Sequence, residues 1–171
     1  MAKISRRVGR ALIGLGSTAA IMCSFMASPA SAATVISSSL SINNTPAPGG
    51  VLFINNYDMH VSVWVPMTQT DAAGYMWNGA SVTVDTWGQD TFANDFLAGP
   101  KIFNLSSSQL HVESDGIHVD AIIQASCSVL DEDGAPLDND EIFVKAKFID
   151  GDGATIKTSS NVVKNRNFGC Y

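Results

Sequence analysis

The chain has 171 residues and carries sixteen Asp and Glu against ten Lys and Arg, a formal charge of −6. Four of those cations, Lys3, Arg6, Arg7 and Arg10, stand at the N-terminal end, so the rest of the chain is more acidic still. Such a surface repels phosphate backbones and anionic headgroups, which argues against nucleic acid or an anionic membrane as a general partner.

The four cations precede an apolar, uncharged run, ALIGLGSTAAIMCSFMA. SPASAA then offers Ala30 and Ala32 at the −3 and −1 positions of an A-x-A cleavage site. This predicts a secretory signal peptide over residues 1–32 rather than an anchor, because a small-residue exit and a polar stretch follow. Met22 stands where a lipoprotein signal wants a small residue before its cysteine, so Cys23 is not read as a lipid anchor. Removal after Ala32 leaves 139 residues with six Lys and Arg against sixteen acids, a net of −10. That length suits one domain with a real core. No later apolar run approaches the roughly 20 residues of a membrane span. The expected location is outside the cell or at its surface.

Residues 33–50, rich in Ser, Asn and Thr and ending TPAPGG, read as a flexible leader, and 51–171 as a single β-rich domain. Within it Met59, Val61, Val63 and Val65 alternate with His60, Ser62 and Trp64, the period of a half-buried strand that Pro66 stops. TQTDAAGYMWNGA predicts a loop or a short irregular helix. SVTVDTW alternates again. In DTFANDFLAGP the spacing of Phe92 and Phe96, a capping Asp90 or Thr91 and a terminal Gly99-Pro100 predict a short helix near 90–98.

The C-terminal half reads as hairpins. Asp115-Gly116 is a strong turn signal. A long alternating run then places Val119, Ala121, Ile123, Ala125, Cys127 and Val129 on one face. DEDGAPLDND turns the chain into a strand with Ile142, Val144, Ala146 and Phe148 opposite Phe143, Lys145, Lys147 and Ile149, and DGDG turns it once more. The class expected is mainly all-β, an antiparallel β-sandwich or small barrel with the one helix near 90–98. An antibody-type domain would set a tryptophan between its cysteines, whereas all three here precede Cys127. Once Cys23 is removed, Cys127 and Cys170 remain, and an even pair in an exported chain predicts a disulfide.

Three groups of residues carry candidate chemistry. If Asp115-Gly116 forms a two-residue turn, Glu113 faces His118 and His111 faces Asp120. His111, Glu113, His118 and Asp120 then form a polar square opposite Leu110, Val112, Ile117 and Val119. Two imidazoles and two carboxylates suit a divalent metal of the zinc type; cross-strand polar contacts on a solvated face are the competing and favoured account. The acids of the 131–152 turns suit calcium by their oxygen density, but Asp and Gly there are also good turn residues. No cofactor is called for beyond such a metal. The aromatic residues between 57 and 96 form the third group. Trp64, Trp77 and Trp87 are candidate ligand-binding residues, with core packing as the competing account.

No G-x-S-x-G, H-E-x-x-H or phosphate-cradling loop is present. The expectation is therefore a secreted, acidic, non-catalytic binding or interaction protein whose partner is a protein or a glycan. The alternatives are an extracellular metal-binding protein, with hydrolysis as its use, and an inhibitor or toxin-like protein.

Overall fold

The computed structural model describes residues 35–46, 52–90, 93–131, 140–166, 168 and 170. The predicted signal peptide lies outside the described residues, as do residues 47–51 and residues 132–139 of the acidic segment read as a turn. Among the described residues no helix is long and apolar enough to cross a membrane.

The fold is mostly β and consists of two antiparallel sheets. The first has four strands in the order β1 (Ser37–Pro46), β2 (Leu52–Pro66), β6 (Gly116–Ser126) and β5 (Leu110–Glu113). The second runs β4 (Asn94–Phe103), β3 (Ser81–Gln89), β7 (Asp140–Ile149) and β8 (Thr155–Ser159), with β9 (Val163–Arg166) also paired to β7. Among the described residues two helices stand between strands, α1 (Gln69–Trp77) and the single turn α2 (Cys127–Leu130).

The period-two strands behave as their sequences require. Met59, Val61, Val63 and Val65 of β2 are buried, while His60, Ser62 and Trp64 between them reach solvent. Ile142, Val144, Ala146 and Phe148 of β7 meet them in one core that also takes Val82 and Val84 of β3 and Ile117 and Val119 of β6. Burying each of the valine, isoleucine, methionine and phenylalanine side chains among them contributes about 1.5–3 kcal/mol. Helix α1 starts where Thr68 accepts a hydrogen bond from the Asp71 amide, and it buries Ala72 and Met76 against the same core.

Three expectations need correction. Residues 37–46, assigned to a flexible leader, form β1, and Ile36, Leu40 and Ile42 lie in the core. Their alternation with Ser37, Ser39 and Ser41 is a strand signal that the high serine content conceals. The outward edge of β1 is closed by Asn161, whose Oδ1 accepts from the Leu40 amide (2.8 Å) and whose Nδ2 donates to the Leu40 carbonyl (2.9 Å).

The helix expected near 90–98 is absent, and Asn94–Phe103 is strand β4, with residues 91 and 92 outside the described set. A helix that short is marginal without tertiary support. Pairing with β3 satisfies its backbone instead and sets Phe96 opposite Trp87, with ring centroids 5.5 Å apart. Lastly, β6 stops at Ser126, so Cys127 and Val129 sit on α2 rather than on a continuing strand.

The chain end is held by several contacts. Cys127 and Cys170 are disulfide-bonded across 43 residues, with Cα atoms 5.3 Å apart. Phe168 is fully buried edge-on to Tyr57 at 4.9 Å, and its amide donates to the buried Asp140 carboxylate at 3.0 Å.

Candidate functional site

The outer face of the four-stranded sheet gathers much of the chain's polar chemistry. Directly paired residues share a face, so the pairings define rows across the sheet. One row runs Ser37, Trp64, His118, His111; the next runs Ser39, Ser62, Asp120; a third runs Ser41, His60, Ile122. All three histidines of the chain therefore point to the same side.

The hairpin turn is one residue earlier than Asp115-Gly116 predicts. Ser114 and Asp115 form it, and Gly116 already pairs with Glu113 on one side and Pro66 on the other. His111 consequently faces His118 rather than Asp120, and Glu113 faces Gly116 rather than His118. Displacing the turn by one changes each partner by two positions, which preserves the faces. Leu110 now pairs with Val119 and Val112 with Ile117, still on the core side.

The predicted square is thus opened. Asp120 accepts a hydrogen bond from the Ser62 hydroxyl at 2.6 Å. His118 instead meets Asp115, Nε2 to Oδ1 2.8 Å. Ligand atoms of Glu113, Asp115 and His118 lie within 4.8 Å of one another. Asp115 was read only as a turn residue; the earlier turn is what swings its carboxylate to His118. His111 is exposed beside this group but is not among its three members.

Trp64 is the apolar centre of the face and is 39% exposed. Its Nε1–H donates to the Asp115 carbonyl at 3.2 Å, an oxygen that also accepts from the Met67 amide. The indole lies nearly parallel to the His118 ring, with planes inclined by 22° and centroids 6.1 Å apart. Its neighbour on the other side is Ser37, too small to cover a ring. A groove of about 270 Å³ follows, lined by Ser37, Ser39, Ser62, Trp64, His118 and Asp120. The serines of β1 belong to the segment that composition assigned to a leader, which is why they were missed.

The other two tryptophans stand apart from this face. Trp77 ends α1 and is 83% exposed. Trp87 lies on the outer face of the second sheet, with the Lys145 ammonium 3.3 Å from its ring centroid. The first acid of the DGDG turn acts locally: the Asp150 carboxylate accepts from the amides of Asp152 and Ala154, at 3.0 and 2.8 Å.

The Ser62 hydroxyl donates to a carboxylate and His118 is engaged with Asp115, so hydroxyl and imidazole are not joined as a nucleophile and its base,. What the face offers is an indole braced on one side and open on the other, among hydroxyl donors and carboxylate acceptors. Comparison with family models, curated proteins and solved structures finds no match for this chain.

Proposed function

We propose that this chain is an exported β-sandwich module that binds a glycan on the outer face of its four-stranded sheet and performs no catalysis. The observation that carries this reading is Trp64, fixed by its Nε1–H and by His118 while its side towards Ser37 stays open. An indole so held stacks on the apolar face of a sugar ring at little entropic cost. Ser37 and Ser39 then serve as donors to sugar oxygens, while the Ser62 oxygen, whose hydrogen is given to Asp120, and the Asp120 carboxylate accept from sugar hydroxyls,. Export is supported by the basic, apolar and A-x-A segments of the N-terminus and by the cysteine pair. The two facing sheets with one common core support the sandwich.

A glycan array probed with the purified protein is expected to return neutral oligosaccharides. Trp64→Ala should weaken those hits at least about tenfold, equivalent to about 1.4 kcal/mol, with a cooperative thermal transition retained because the ring lies on the outer face of the sheet and not in the core. An array without hits, or hits that Trp64→Ala retains in full, removes the reading.

A second reading, a divalent-metal centre, is favoured by the closeness of Glu113, Asp115 and His118. One imidazole with two carboxylates suits zinc better than calcium. Tag-free protein prepared without chelator is then expected to carry stoichiometric zinc by elemental analysis, and His118→Ala to carry none. Metal-free wild-type protein would reduce the trio to a polar contact that steadies Trp64.

A further inference from the structure

The second sheet presents an outer face of opposite character. Lys145 and Lys147 project from β7 and Lys157 and Ser159 from β8, beside Asp85 and Trp87 of β3. Lys147 and Lys157 are direct cross-strand partners. Like charges so placed destabilise a sheet unless something neutralises them. Asp85, itself buried, pairs with Lys147 at 2.7 Å. Among the described residues no carboxylate pairs with Lys157, and Lys145 has only the rings of Trp87 and Phe143 beneath its ammonium. Three cations and one carboxylate therefore surround a groove of about 500 Å³ lined by Trp87, the three lysines, Thr158 and Ser159. After residue 32 the chain has six Lys and Arg in all, and half of them converge here.

From this concentration we infer a second binding site, for an acidic oligosaccharide, its charge borne by carboxylate or sulfate groups. Net charge describes the surface as a whole, whereas a groove lined by one sign sets its own local potential. The lysines stand on adjacent strands and on alternate residues of one strand, a spacing on the order of 5–7 Å. Successive charges along a glycan can meet such a row, whereas one small anion cannot satisfy all three. Lysine ammonium groups are point charges without the bidentate fork of arginine, so the groove accepts carboxylate and sulfate alike. The Ser159 hydroxyl, on the same face as Lys157, and the apolar rim of Trp87 supply the polar and apolar contacts that a sugar ring uses. The site shares no residue with the Trp64 face, so either stands if the other fails.

Calorimetric titrations of the full chain carrying Trp64→Ala, which silences the first face, test the assignment. The probes are an oligogalacturonate, a sulfated oligosaccharide, a neutral oligogalactan and hexaglutamate. One or both acidic oligosaccharides are expected to bind, and the stronger of them names the charged group. Affinity should fall steeply from about 50 to about 500 mM NaCl. Lys145→Gln with Lys157→Gln should weaken binding at least tenfold; Lys147 is left in place because Asp85 depends on it. Unchanged thermal unfolding of the double variant separates lost binding from lost fold. Equal binding of hexaglutamate, equal binding by the double variant, or no acidic glycan bound would each overturn the inference.

Discussion

Replacing Gly116 with alanine is expected to cost the fold roughly 3 kcal/mol or more, combining backbone strain at positive φ with a steric overlap. Gly116 has φ of 144°, and a Cβ there would sit 2.2 Å from the Val65 carbonyl oxygen and 3.1 Å from the Met67 nitrogen. Both atoms belong to backbone, so no side-chain rotation relieves the contact. The strands β2 and β6 would have to part at the Pro66–Gly116 pair, which lies beside the fully buried Val65 and Ile117. The same opening would displace the Asp115 carbonyl that holds Trp64 and Met67. Urea denaturation checks this, with Ser114→Ala in the adjoining turn as a control expected to stay within about 0.5 kcal/mol. A Gly116→Ala midpoint equal to that of the wild type would show that the two strands do not approach as closely as this register requires.

Removing the disulfide is expected to have the next largest effect. Closing a loop of 43 residues restricts the unfolded chain by about 4 kcal/mol on a loop-entropy estimate. With a urea slope of about 2 kcal/mol/M, Cys127→Ser with Cys170→Ser should lower the midpoint by about 2 M. Wild-type protein in reductant should follow the double variant. The native state also loses its anchor, because α2 and the chain end, with Phe168 against Tyr57, are joined through this bond. Coincident curves for the wild type and the double variant would mean that the two cysteines are not joined in the folded protein.

Much of the β architecture is legible in the chain itself. The alternation in 59–65 and 142–148 announces strands with one buried face. The two late cysteines announce their bond. Where the reading failed, local composition masked or imitated a pattern. Serine-rich β1 passed for a leader because its apolar residues are few, although Ile36, Leu40 and Ile42 keep the strand period. The 90–98 segment imitated a helix through Phe92 and Phe96, and pairing with β3 decided otherwise. The sequence sets the lysines of β7 opposite the face of Ile142, Val144, Ala146 and Phe148 and marks the DGDG turn after them, but the register that puts Lys157 directly beside Lys147 comes from the pairing of β7 with β8.

The candidate site divides along the same line. Which side chains share a face was determined by the sequence alone, because alternation belongs to the extended backbone and survives any even displacement of partners. His111, Glu113, His118 and Asp120 accordingly lie on one side, away from Leu110 and Ile117, as their spacing requires. Which of them meet was decided only by tertiary structure. The close approach of Gly116 to Val65 and Pro66 sets where β6 begins, and that moves the turn to Ser114-Asp115. Asp115 therefore reaches His118, Asp120 binds Ser62 instead, and Trp64 from a distant strand becomes the centre of the face. Pairing between strands far apart in the chain depends on the packing of all of them at once, and no single segment encodes it.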